Sequence, residues 1–149
     1  MVTTTSEDAI IGSRFAVELD GVQMAYFQAV SGFSNETELI DDKVVGANGQ
    51  TLVRKIPGQL TWGPITLTRG LTSDMALWEW RQAVIDGDTA NMRRNGSIVM
   101  FNHHQEEVSR YNFTDAWPSK WTGPAAKADD TAVAVEEIEI QYESLERVL

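Results

Sequence analysis

The stretch Phe15-Ala16-Val17-Glu18-Leu19-Asp20-Gly21-Val22-Gln23-Met24-Ala25-Tyr26 decides how the chain is read. Phe15, Val17 and Leu19 alternate with Ala16 and Glu18, the period of a half-buried strand, and Val22, Met24 and Tyr26 resume the alternation after Asp20-Gly21. An Asp-Gly pair between two alternating runs is the chemistry of a two-residue hairpin turn, because both central residues must take positive φ. Residues 13–30 are therefore expected to form a β-hairpin. The same period returns outward along the chain.

Gly32 and Ser34-Asn35 interrupt the pattern, a weaker strand follows over Glu36–Ile40, and the polar run Asp41–Gln50 is expected to be an exposed loop. Thr51–Ile56 reads as a short strand stopped by Pro57-Gly58, and Ile65–Arg69 as another, with Ile65 and Leu67 on one side. From Asp74 to Asp86 the period changes to 3.6, with Ser73 or Thr72 as N-cap and Gly87 as the stop. On that helix Ala76, Leu77, Trp80, Ala83 and Val84 form one stripe, which is expected to dock on a sheet. Trp78 and Ile85 make a second apolar spot off the stripe, covered either by a wide core or by another subunit. Gly96–His104 and Val108–Asp115 read as a second hairpin with both faces partly buried. A Gly/Pro/Ala/Asp loop is expected over Gly123–Asp130. A long strand from Ala132 to about Ser144 then puts Ile138, Ile140 and Tyr142 on one face and Glu137, Glu139, Gln141 and Glu143 on the other. The expected fold is mainly β, an antiparallel sandwich or barrel with one flanking α-helix.

Composition bounds the function. A chain of 149 residues suits one domain, and residues 12–149 are read as that domain behind a flexible N-terminal segment, 1–11. The first ten residues hold no basic run and no apolar core of signal-peptide length, so Sec export is not expected. No apolar run reaches the roughly 18 residues of a membrane-spanning helix. Cysteine is absent, which removes disulfides and thiolate chemistry. With 22 acidic against 12 basic residues the formal charge is −10, the wrong sign for gripping a phosphate backbone and the right sign for repelling a polyanion.

No constellation of catalytic, cofactor-binding or metal-ligating residues is found. There is no G-x-S-x-G elbow, and the only histidines, His103 and His104, are neighbours that a strand would point to opposite faces. Gly46, Gly49 and Gly58 lack the order and following helix of a phosphate loop. Glu136, Glu137, Glu139 and Glu143 lie along one strand, where alternate carboxylates stand roughly 6.5–7 Å apart in a line, so they are read as a solvated or channel-facing stripe and not a cation site. The five tryptophans have no basic groove beside them and are read as core or interface.

Other pieces, taken in order, resemble the T4-like phage tail tube proteins and the tube subunits of extracellular contractile injection systems, over about residues 12–149. They are Phe15–Gly21 with Val30-Ser31-Gly32-Phe33; Lys55-Ile56-Pro57-Gly58; Ile65–Asp74 running into Leu77-Trp78-Glu79-Trp80; Tyr111–Pro118; and Ile138–Arg147. The resemblance implies a structural subunit, not an enzyme. Six copies would close a ring around a central channel, and rings would stack into an inner tube inside a contractile sheath. Sheath, baseplate and tube-capping proteins would be the partners, with DNA or protein cargo passing through without tight binding. It implies assembly in the bacterial cytoplasm into a phage tail or an injection particle. A tube-initiator or baseplate-adaptor ring, or an effector-carrying ring of type VI-like secretion, is the alternative. By the same analogy the segment Asp41–Gly58 contacts the next ring or neighbour, so Asp41, Asp42, Lys43, Arg54 and Lys55 join Trp78 and Ile85 as candidate contacts. Glu137, Glu139 and Glu143 are candidates for lumen or stacking. The Gln105-Glu106-Glu107 turn departs from the family's tight Gly turn.

Overall fold

In the computed structural model the described residues are 14–71, 73–125 and 134–149, with 22–25 described by backbone alone. The expectations for segment 1–11, for Thr72 as a cap and for residues 126–133 lie outside them.

Strands β1 (Arg14–Leu19) and β2 (Val22–Phe27) form the expected hairpin. Asp20 and Gly21 take φ of 53° and 81°, the paired positive values of a type I′ turn. From β1 the antiparallel sheet continues through β7 (Arg94–Phe101), β8 (Glu107–Thr122), β9 (Val135–Gln141) and β6 (Ile65–Gly70) to β3 (Ala29–Ser31). Only Gln28 separates β2 from β3, and its N–H donates to the Thr68 carbonyl at 2.8 Å. Residues 22–31 thus pair with β1 by their first part and with β6 by their last, so the sheet returns on itself as a barrel. The core is the inner face of these strands: Val17, Leu19, Ile65, Leu67, Ile98, Phe113, Ile138 and Ile140 are all at most 3% exposed.

Helix α1 (Ala76–Ile85) packs on β8 with the stripe read from its periodicity, Leu77 and Trp80 buried and Ala76, Ala83 and Val84 half-buried. The Trp80 indole N–H donates to the Met92 carbonyl at 2.7 Å, so the polar atom of a buried ring is satisfied. Ser73 does not begin the helix. Met75 holds the cap position without a side-chain bond, and Asp74 Oδ1 accepts the Ala76 N–H at 3.0 Å. A carboxylate one residue farther out satisfies an orphan donor and meets the positive helix end, so serine is not needed. At the other end Gly87 (φ 71°) donates to Val84 and Asp88 to Ala83, the two bonds of a Schellman motif.

Several strand boundaries differ from expectation, among them the end of β8, which runs past Asp115 to Thr122. The segment Asp41–Gln50 is not a loop: β4 (Ser34–Val45) runs through its first half and pairs along its length with β5 (Thr51–Gly63). Cross-strand partners outweigh the weak strand propensity of Asp and Lys, since Ile40 faces Ile56, Val44 faces Leu52, and Lys55 donates to Asp41 at 2.7 Å. Pro57 does not end its strand either. The register shifts beside it, two residues of β5, Gly58 and Gln59, opposing Glu38 alone, so the missing N–H falls at a bulge. The same device carries β8 through Pro118, where Ser119 is the extra residue. Finally, the last strand stops at Gln141 and the chain crosses to pair β10 (Ser144–Arg147) with β8.

Glu136 corrects the reading of the acidic stripe. It shares inward parity with Ile138 and Ile140, is 6% exposed, and stands opposite Arg69 of β6, itself 4% exposed. Arg69 Nε donates to Glu136 Oε1 and Arg69 Nη2 to the Asp74 carbonyl at 3.2 Å, while the Trp121 indole donates to Glu136 Oε2 at 3.2 Å. Burying two charges is tolerated only with such pairing and saturation. The network ties β6 and β9 to the start of α1.

Arg69→Met, which leaves Glu136 buried without its counter-charge, is expected to cost about 3–5 kcal/mol of subunit stability, and Arg69→Met/Glu136→Leu to recover most of it. Chemical unfolding followed by circular dichroism measures both. In the barrel wall a Cβ on Gly96 would lie 2.3 Å from the Glu18 carbonyl oxygen and 2.6 Å from the Phe113 ring. Gly96→Ala is therefore expected to destabilise by roughly 1–3 kcal/mol, read as a lowered Tm.

Candidate functional site

The hairpin β4–β5 is a separate two-stranded sheet, an arm standing off the barrel. Its root is anchored by Trp62, whose ring lies 5.9 Å from that of Tyr142, and by the Tyr142 hydroxyl, which donates to the Ser34 carbonyl at 3.4 Å. Burial pushes the Tyr142 phenol up from its ordinary pKa, and the bond to Ser34 opposes that shift. Beyond the root the arm is exposed on both faces. Residues opposite each other in register share a face, so one face carries Ile40/Ile56, Asp42/Arg54 and Val44/Leu52, and the other Leu39/Pro57, Asp41/Lys55, Lys43/Val53 and Val45/Thr51. Leu39 is 62% and Val45 77% exposed. An isolated two-stranded hairpin is marginal in water, and this one keeps apolar side chains uncovered.

A second exposed apolar surface flanks the start of α1. Trp78 is 37% exposed and meets the Trp121 ring edge-on at 4.9 Å. With Leu71 and Met75 these rings wall a cleft of about 280 Å³ that also reaches Asp74 and Glu136. Ile85 lies two turns along the helix and is 55% exposed, outside the cleft lining. Thus Trp78 of the candidate contacts is half-covered by its own chain, and Ile85 is not.

Asp41 and Lys55 are joined by their ion pair, and Asp42 and Arg54 stand opposite without one among the described residues. Sequence reasoning missed the exposed apolar residues between these charges, Leu39, Ile40, Leu52, Val53 and Leu60. Their signal is visible only once the two strands are paired. It also missed Trp121 as the partner of Trp78.

On the outer face of β9, Glu137 is exposed, Glu139 half-buried, and Gln141 Nε2 donates to Glu139 Oε1 at 3.3 Å. The stripe ends there. Glu143 lies past the turn at Tyr142, where it accepts from Arg93 at 2.6 Å. A second charged network covers the outer face of β1, β7 and β8, with Arg110 bonded to Glu18 at 2.7 Å and to Glu107. The Arg110 hydrogen bond holds the Glu107 carboxyl below its ordinary pKa, while the bonds to Glu107 and then Glu18 push the guanidinium up.

His103 and His104 sit exposed in the β7–β8 turn, which is closed by Asn102 Oδ1 accepting the N–H groups of His104 and Glu106. Among the described residues no three His, Asp or Glu side chains cluster as a metal site would require, and no helix is long and apolar enough to cross a membrane.

Comparison with solved structures places the fold. The chain is similar to the structure titled as an extracellular contractile injection system, PVC sheath-tube complex in the extended state, at 24% identity and a TM-score of 0.76 over 98% of this chain and 99% of that one. It is similar to a chain of the anti-feeding prophage cap at 24% identity and TM-score 0.77, over 99% and 95%. Hcp1 from Flavobacterium johnsoniae follows the same fold at 16% identity and TM-score 0.60, over 91% and 94%. No curated protein shows significant sequence similarity to the chain. Residues 12–146 match the T4-like virus tail tube protein gp19 family, nearly the whole length of the closed barrel and its arm, and the chain belongs to that family of structural tube proteins.

Proposed function

We propose that this tail tube protein closes into six-membered rings that stack into the hollow inner tube of a contractile phage-tail-like particle, with a structural and not a catalytic role. The observation that carries the reading is the arm: a barrel that has closed its own sheet extends a hairpin whose apolar faces no other described residue covers. A contact between an arm and a different patch on the next copy is heterologous, and such a contact repeated around an axis closes a ring. Six is the symmetry named for the anti-feeding prophage baseplate, and the sheath and cap are the settings named for the other similar structures.

On this reading Asp41, Asp42, Lys43, Arg54 and Lys55 on the arm, and Trp78 and Ile85 on α1, lie between subunits or rings. The barrel face bearing Glu137 and Glu139 is the candidate lumen wall. Its outward positions are polar, Thr66 and Thr68 standing opposite Glu139 and Glu137, so a cargo chain or DNA finds little to adhere to. The particle would be assembled in the bacterial cytoplasm and act outside it, with sheath, baseplate and cap as partners.

Concentrated protein viewed by electron microscopy is expected to show tubes. Isolated rings alone would favour an adaptor or a cargo-carrying ring, and a stable monomer by light scattering would defeat the reading. Trp78→Ala and the arm charge reversal Lys55→Glu are each expected to reduce tube yield at least tenfold while leaving the unfolding midpoint of the subunit nearly unchanged. Normal tubes from both would remove these residues from the interface.

A further inference from the structure

The strand pairing that joins the arm to the barrel is interrupted at its root. Pairing of β3 with β6 ends at Ser31/Thr66 and pairing of β4 with β5 begins at Ser34/Gly63, so Gly32 and Phe33 on one chain and Pro64 and Ile65 on the other carry the connection. Pro64 has no N–H to donate, and Gly32 takes a φ of 82°, which breaks the extended path of its strand. The two chains also approach closely there: a Cβ on Gly32 would lie 2.6 Å from the Pro64 carbonyl oxygen, and one on Gly63 would lie 2.9 Å from the Gly32 carbonyl oxygen. A few residues between two paired elements are what a hinge is made of, since they absorb a change of direction without disturbing either element.

Aromatic side chains brace both chains of that joint. Phe33, next to Gly32, sets its ring 5.1 Å from that of Tyr111 in β8, and Arg147 of β10 lies 6.0 Å from the Tyr111 ring. On the other chain Trp62, next to Gly63, sets its ring 5.9 Å from that of Tyr142, and the Tyr142 hydroxyl donates to the carbonyl of Ser34, the first residue of β4. Tyr142 belongs to the barrel core, and Phe33, Trp62 and Tyr111 are partly buried against it. Tilted and edge-on ring pairs at such separations attract beyond the area they bury. One chain of the arm is thus held at β8 and the other just past β9, and two separated attachments remove the swing that a single one would leave.

The length of the arm makes its angle matter. At about 3.3 Å per residue the 12-residue β4 gives an arm of roughly 40 Å, so a swing of about 10° at the root carries the tip about 7 Å. That exceeds the roughly 4–4.5 Å within which apolar side chains touch, so an unbraced arm would miss its contact on the next copy.

We infer that Phe33 and Trp62 are positioning residues for assembly: with Tyr111 and Tyr142 they hold the arm at one angle to the barrel, so that each subunit meets its neighbours with the arm already aimed. Fixing the angle beforehand removes an ordering cost from association. The use of the arm in assembly rests on the ring-and-tube reading, and its fixed angle does not.

Because the chain lacks cysteine, two engineered thiols label it uniquely. Asn48→Cys, exposed in the turn at the tip of the arm, and Thr89→Cys, exposed in the turn after α1, carry spin labels whose separation reports the angle of the arm to the barrel. Pulsed electron paramagnetic resonance of the labelled chain diluted in unlabelled chain is expected to give one narrow distance distribution. Trp62→Ala and Phe33→Ala are each expected to widen it at least twofold and to lower tube yield at least tenfold, while Trp62→Phe, which keeps a ring against Tyr142, holds both near the values of the unaltered root. Circular dichroism identifies the variants whose barrel is intact, and those decide the result. A broad distribution from the unaltered root, or an unchanged width in an intact alanine variant, would overturn the brace. A widened distribution with full tube yield would overturn its part in assembly and leave the tube reading standing. Failure of the unaltered chain to form tubes would remove the tube reading and with it the assembly role, while the distance distributions would still decide the fixed angle.

Discussion

Closure of the sheet by the β2–Gln28–β3 segment is the constraint on which the rest of the subunit depends. Because that one stretch pairs with β1 and then with β6, the strands around the barrel find their backbone partners within the subunit, and a single core fills the inside. Closure removes most of the free edge that an open sheet of this size would offer to other chains. What stays unfinished is set apart from it: the two-stranded arm, which among the described residues keeps a free edge on each strand and exposed apolar side chains.

The buried Arg69–Glu136 pair adds specificity to that closure. A pair of apolar residues there would serve the core as well or better, since desolvating two charges offsets most of their attraction. Its distinctive contribution is direction. The guanidinium reaches both across the sheet to Glu136 and out to the backbone of Asp74, and the carboxylate reaches the Trp121 indole, so one network sets the register of β6 on β9 and the position of α1 over β8. The aromatic cleft is a product of that placement. Folding of the barrel and presentation of the cleft are therefore one event.

Much of the barrel was legible in the sequence because alternation is a local signal. The Asp20-Gly21 turn, the β6 parity of Ile65 and Leu67, the α1 stripe and the inward set Ile138, Ile140 and Tyr142 all follow from spacing and turn chemistry. The arm was not legible, because its evidence lies across the hairpin: Asp41, Asp42 and Lys43 read as loop until each is set against Lys55, Arg54 and Val53. Pro57 misled for a similar reason. It is a strand breaker by itself, and only the partner strand reveals the bulge that accommodates it. Glu136 was misread by charge when its parity with Ile138 already placed it inside. For the candidate site, Trp78 was visible as an apolar residue off the helix stripe, while its neighbour Trp121 lay on a strand hidden behind Pro118.

The same division explains how a chain of net charge −10 can pack copies side by side. Self-repulsion falls steeply with screening beyond about 8 Å at physiological ionic strength, so only charges close to a contact weigh on it. Much of the charge here is neutralised locally, by Arg110 with Glu18 and Glu107, by Arg93 with Glu143, and by Arg69 with Glu136. The arm is likewise close to balanced at its outer half, Asp41 and Asp42 facing Lys55 and Arg54. Acid without an ion pair among the described residues includes Glu36 and Glu38 near the arm root and Glu137 on the barrel face. A polyanion or an acidic unfolded chain passing such a face would be held off by charge at short range and would meet hydroxyls at contact.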